Sequence, residues 1–319
     1  MKTLIVVSAL AAAFSVSSTA AAQYPAKPVR VIVPFPAGGP ADIVARVIAQ
    51  PLSQTLGQPV LVENKSGADG AIAGEAVARS APDGYTLFMG GTGAMATVPT
   101  FRRNPPYDPI ADFTPITSFG KYSFFLFVHA SVPANTLAEL IDYARAHPGK
   151  LNYGTGNTTA IFATAQLMSL AKLDMVHVPY KGDAPAFSDF VNGHVHMMFS
   201  PPTIWLAHVK EGKLRALATL LTRRSPLLPE VPTMAEAGMP GVAIVPWVAL
   251  FGPAGMPKEI VERLNREMRA AMGRQDVREQ MDKQAFELGG STPEELSAYV
   301  KEQLDVWRRT AREAGIKPE

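Results

Sequence analysis

The chain has 319 residues, 47% of them hydrophobic, a formal net charge of +2 and no cysteine. A balance this close to neutral, with no Lys/Arg block interleaved with aromatics, excludes a nucleic-acid groove. The lack of cysteine excludes a disulfide scaffold, a thiol nucleophile and a cysteine-linked lipid anchor, so stability must come from buried cores. The length suits two ordinary domains.

The first residues read as an export signal. Lys2 gives a short positive region, residues 4–14 an apolar one, and Ala20-Ala21-Ala22 a small-residue cleavage site. The mature chain is expected to begin at Gln23 and to act in the periplasm. No later apolar run is long enough to span a membrane.

Residues 29–35 read as a strand entering the turn Pro36-Ala37-Gly38-Gly39, with Pro40 opening a helix. Ile43, Val44, Val47, Ile48, Leu52 and Leu56 form that helix's apolar stripe. Pro51 should kink or split it, and Gly57 should end it. A second strand, 60–63, leads into a Gly-rich turn at 64–70 and a helix at 71–80. A third, 85–89, leads into Gly90-Gly91-Thr92-Gly93. Three successive strands thus end in glycine, and in a parallel sheet such turns share the edge where open α/β sheets bind ligands.

After a Pro/Asp-rich loop at 101–115 come strands at 113–119 and 124–128. The second is apolar enough to cross between domains. Thr136 and Glu139 predict a capping box. A further set of units follows: strand 151–153, the turn Gly154-Thr155-Gly156-Asn157-Thr158-Thr159, and helix 160–170. Then come strand 175–180 with Lys181-Gly182-Asp183, and strand 194–199 with Ser200. The apolar stretch 244–251 is the candidate return crossing. Helices at 257–272 and 276–284, a short strand at 286–288 and a last helix from 292 complete an α/β chain of two lobes.

Motifs for several reactions are missing. There is no Gly-x-Ser-x-Gly elbow, and no Gly-Lys pair is followed by Ser or Thr. Gly91-Thr92-Gly93-Ala94-Met95-Ala96 fits a loose dinucleotide pattern, but the position of its acidic partner falls in the Pro-rich loop. His194 and His196 alternate on one strand, and two ligands do not make a metal site. Asp42, Asp69 and Asp183 lie at helix starts, where a carboxylate complements the dipole or serves as acid or base. What remains is a cleft of backbone N–H groups, hydroxyls on Thr92, Thr155, Thr158, Thr159 and Ser200, and the ring of Phe35. Such a lining holds a small carboxylate without reacting with it.

These residues also carry a family likeness. Val-Pro-Phe-Pro-Ala-Gly-Gly (33–39) with Asp-Ile-Val-Ala-Arg (42–46) resembles the opening of the Bug family, the periplasmic substrate-binding proteins of tripartite tricarboxylate transporters. Leu-Gly-Gln-Pro-Val (56–60), Ala-Pro-Asp-Gly-Tyr-Thr-Leu (81–87), His-Val-Pro-Tyr-Lys-Gly (177–182) and Val-Pro-Thr-Met-Ala-Glu-Ala-Gly (231–238) continue the match in order. The resemblance implies a type II periplasmic-binding-protein fold: two α/β lobes joined by two crossing strands, with the ligand in the interlobe cleft. It implies ligand contacts from Phe35, Ala37, Gly38 and Gly39, from the loop Gly154 to Thr159, and from Ser200. Three positions depart from the family pattern. Ala41 lacks a common hydroxyl, Phe162 stands where a polar residue is frequent, and Ser200 replaces an aspartate.

The expected domains are 1–22 as signal peptide, 23–122 with 246–319 as lobe one, and 123–245 as lobe two. The expected ligand set is Phe35, Ala37, Gly38, Gly39, Asp42, Gly91, Thr92, Thr155, Gly156, Asn157, Thr158 and Ser200. No catalytic residue, metal or cofactor is expected. A dicarboxylate or aromatic carboxylate is favoured over an amino acid. The expected partner is a membrane permease or a sensor kinase, and the chain itself is expected to be a monomer. The rival readings are an exported enzyme with Asp42, Asp183 or a histidine as base, and a metal module on His194 and His196.

Overall fold

The computed structural model describes residues 24–180, 183–202, 204–242 and 244–313. The expected signal peptide, 1–22, lies outside the described residues.

β1 (Val29–Val33) is buried at every residue but Arg30. A Val/Ile run covered on both faces suits the interior of a parallel sheet. β1 accordingly lies between β2 (Val60–Asn64) and β3 (Thr86–Gly91), parallel to both. Between β1 and β2, α1 (Pro40–Leu56) starts on Pro40 and ends at Gly57, whose left-handed backbone (φ 71°) lets its N–H reach the Ser53 carbonyl. Pro51 does not split α1. An internal proline costs about 3 kcal/mol, and the packed face of Val44, Ala45, Ile48, Leu52 and Leu56 outweighs it.

After a 3-10 turn (Ala68–Gly70) come α2 (Ala71–Ala78) and β3. A π-helical turn (Thr92–Thr97) then runs into α3 (Val98–Phe101). The third strand runs two residues further than expected: Gly90 and Gly91 belong to β3 itself.

β4 (Phe113–Tyr122) precedes β5 (Phe125–His129) and α4 (Leu137–Ala146). The Thr136/Glu139 box forms, with Thr136 Oγ1 accepting the Glu139 N–H. β6 (Asn152–Thr155), α5 (Thr158–Ala171), β7 (Val176–Pro179), α6 (Asp183–Val191) and β8 (Met197–Ser200) follow. Then come α7 (Leu206–Lys210), β9 (Leu214–Thr219), β10 (Trp247–Pro253), α8 (Lys258–Gly273), α9 (Gln275–Lys283), β11 (Phe286–Leu288) and α10 (Pro293–Glu313).

Two sheets result, one per lobe. The first has the order β11-β4-β10-β3-β1-β2, the second β7-β6-β8-β5-β9. β10 runs antiparallel to β3 and β4, and β11 antiparallel to β4. In the second sheet β6 is parallel to β7 and β8, and β5 is antiparallel to β8 and β9. The stretches expected to cross, 124–128 and 244–251, each pair within one sheet. The passages are the few residues leading into Phe125 and Trp247, because a strand's backbone groups are satisfied only inside a ladder. The Tyr122 N–H donates to Pro246 O, which holds the two passages side by side, and the Leu220 N–H donates to Phe124 O, which ties the first passage to the chain leaving β9.

These directions bring the C-terminal ends of β1, β2, β3 and β4 to one edge, facing the C-terminal ends of β6, β7, β8 and β9. Away from the passages the lobes are bracketed by α5 and α10. Phe162 packs against Phe101 (ring centroids 4.9 Å apart) and Trp307 (4.7 Å), and Gln166 Nε2 donates to Thr310 Oγ1 at 2.8 Å.

Candidate functional site between facing sheet edges

In lobe one, the loop after β1 is shaped by Asp42. Its side chain is 2% exposed, and its carboxylate accepts from the Gly38 N–H (2.9 Å), Arg46 Nε (2.9 Å) and Asn64 Nδ2 (2.9 Å). Asn64 Nδ2 also donates to the Phe35 carbonyl. The Arg46 hydrogen bond, aided by the Gly38 and Asn64 donors, holds the Asp42 carboxyl down at about 2. A carboxylate with three donors and so low a pKa is a poor base, so it positions the loop. Gly38 takes the left-handed conformation the turn needs (φ 79°), and Phe35 and Ala37 stand exposed on it. Ala41, the first departure from the family pattern, is buried in the core beneath.

The loop after β2 carries four consecutive positive-φ residues, Gly67, Ala68, Asp69 and Gly70. Ala68 and Asp69 sit in a region that costs a non-glycine residue about 1–2 kcal/mol, and the sequence pattern does not flag them. Close packing holds them there. A Cβ on Gly70 would lie 3.0 Å from Pro34 Cβ and 3.1 Å from Ala94 Cβ, and one on Gly93 would lie 2.8 Å from the Asp69 carbonyl oxygen. All three loops of lobe one therefore touch.

Gly91 and Thr92 serve mainly to join β3 to β10. A methyl on Gly91 would overlap the Trp247 carbonyl oxygen, and Thr92 Oγ1 accepts the Trp247 N–H at 2.9 Å. The π-helical turn after them is a form frequently found at functional sites.

In lobe two, Thr155 is buried at the end of β6, with Oγ1 2.7 Å from His177 Nε2. The His177 ring stacks on Tyr153, and burial lowers its pKa. In the sequence His177 stands out only as part of the family motif at 177–182, which assigns it no role. Asn157 caps α5, its Oδ1 accepting the Ala160 N–H at 2.9 Å. Gly156 and Thr158 flank it, half-buried. Ser200 is fully buried, and its Oγ accepts Trp205 Nε1 at 2.7 Å. Phe162, the second departure from the family pattern, is buried in the α5–α10 bracket.

Five helical segments thus begin just past strand ends on the two facing edges. They start at Pro40, Ala71 and Thr92 in lobe one, and at Thr158 and Asp183 in lobe two. Each brings unpaired N–H groups and a partial positive charge. Together they favour an anion between the lobes.

The strand expected at 194–199 starts only at Met197, so neither His194 nor His196 lies on it, and the two part company. His196 Nδ1 accepts the Asn152 N–H at 2.9 Å, whereas His194 points to Asp189 at 3.6 Å. Among the described residues no group of three or more His, Asp or Glu could hold a metal ion.

The model of the tripartite tricarboxylate transporter family receptor matches residues 44–316. The chain belongs to this receptor family. BugT of Bordetella pertussis is 35% identical to the receptor over 313 residues, covering 97% of this chain and 95% of BugT. Rpa4515 of R. palustris, solved with adipate, superposes with a TM-score of 0.77 at 34% identity, covering 93% of this chain and all of the other. MatC from Rhodopseudomonas palustris, solved with bound malate, gives 0.72 at 33% identity, covering 90% of this chain and 99% of MatC. The family is one of solute-binding receptors, and the two-lobed α/β architecture is theirs.

Proposed function

We propose that this receptor is exported to the periplasm, captures a small organic acid between its lobes and hands it unchanged to a membrane permease. The observation that carries the reading is the convergence of five helix starts on facing sheet edges, an arrangement suited to carboxylate groups. The adipate and malate in the two solved relatives favour a dicarboxylate. Lobe one is taken as 23–122 with 246–319, and lobe two as 123–245. Phe35 to Gly39 and Thr155 to Thr158 are the loops proposed to touch the ligand, with Asp42, Gly91, Thr92 and Ser200 holding them in place.

A neutral Ser200 offers no partner for a ligand ammonium, so a plain diacid is favoured over an acidic amino acid. The low pKa of Asp42 argues against its use as a base, and so against the enzyme reading built on it. Among the described residues no helix is long and apolar enough to cross a membrane. Equilibrium dialysis against malate, adipate and benzoate, with mass analysis of what the protein releases, tests this. The expected result is saturable uptake of at least one acid, recovered intact. Conversion of the acid would establish the enzyme reading instead.

A further inference from the structure

The facing sheet edges continue past the two passages. On one side of the passages lie the strands of the ligand cleft, β1 to β3 opposite β6 to β8. On the other side β11 and β4 face the chain leaving β9. That second side is not closed by packing. It holds a notch of about 540 Å³, lined from lobe two by Leu221 to Leu227 and from lobe one by α8, α9 and β11. The volume falls in the usual range for small-ligand sites, about 300–1,000 Å³.

Four arginines line the notch, two from each lobe: Arg223 and Arg224, Arg269 and Arg278. Arg223 Nε pairs with Glu287 Oε1 across the two lobes, and Arg224 pairs with Glu236 at 3.0 Å. Arg269 and Arg278 make no side-chain ion pair or hydrogen bond among the described residues, and the lining offers only Asp282 as a further carboxylate. An uncompensated pair of guanidiniums at the mouth of a notch recognises carboxylate or phosphate oxygens, and does so bidentately. A ligand bearing two acid groups would satisfy Arg269 and Arg278 together.

We propose that this notch is a second binding site, distinct from the ligand cleft, for a compact polyanion. The chemistry is shared by tricarboxylates and by phosphate groups. The test is titration of the isotopically labelled mature protein with citrate and, separately, with inorganic pyrophosphate, followed by amide NMR. The site predicts shifts at Ser225, Gly273, Gly289 and Gly290 with one or both anions, and the anion that produces them identifies the source. It also predicts at least a tenfold loss of that affinity in the Arg269→Gln/Arg278→Gln double variant. Both residues are exposed, so the melting temperature should not change. Shifts confined to Gly38, Gly39 and Gly156, no shift at all, or affinity unchanged in the double variant would overturn the proposal.

Discussion

Asp42 shows how a residue that looks chemical serves geometry. Its carboxyl falls from an ordinary 3.8 to about 2 in the folded chain, so folding favours the ionised form. The stability this supplies is complete above the unfolded value and is lost as pH falls from about 4 towards 2. Asp42→Asn is therefore expected to lose about 1–3 kcal/mol at pH 7, with the gap to the parent narrowing below pH 4 in urea unfolding. A constant gap down to pH 3 would mean the charge is not what matters. Ser200 makes a parallel case. Ser200→Ala leaves the buried Trp205 Nε1 without its acceptor and is expected to cost about 1–3 kcal/mol while changing ligand affinity less than threefold. Intact stability with lost affinity would place Ser200 on the ligand. The sequence marks both residues as polar groups after a strand. Their partners, Asn64 and Trp205, sit on other segments, so their roles could not be read from local pattern.

Elements were more legible than the roles of their residues. α1 declares its start with Pro40 and its end with Gly57, and the Thr136 capping box forms as its spacing predicts, because these signals act within one helical turn. Pro51 misleads because its cost is local while the packing that offsets it is tertiary. The glycines after β3 mislead for the same reason: Gly90 and Gly91 look like a turn and are instead a strand pressed against β10. The two kinds of glycine are expected to respond differently. Gly91→Ala forces a methyl onto the Trp247 carbonyl and should cost more than about 3 kcal/mol. Gly38→Ala meets nothing within 4 Å, so only its left-handed backbone is strained, at about 1–2 kcal/mol. Equal losses in thermal unfolding would contradict this division.

At the scale of the whole molecule, two sheets face each other by their C-terminal edges. The passages into Phe125 and Trp247 tie them, and the α5–α10 bracket spans them. Phe162 sits in that bracket between Phe101 and Trp307. Phe162→Ala is expected to remove about 3–5 kcal/mol, read from urea unfolding, and a loss below 1 kcal/mol would show that the ring is not packed there. The two-lobed plan was legible because each lobe repeats strand, glycine turn and helix. The bracket was not, since it pairs residues more than 140 positions apart. The convergence of helix starts on an anion is the central claim, and a thermal-shift screen of the mature chain from Gln23 tests it most directly. A ligand that binds only the folded state raises the melting temperature by mass action. One class of dicarboxylate or aromatic carboxylate should raise it clearly, while aspartate, glutamate and divalent metals leave it in place. No shift with any carboxylate, or a shift with metal alone, would contradict the account.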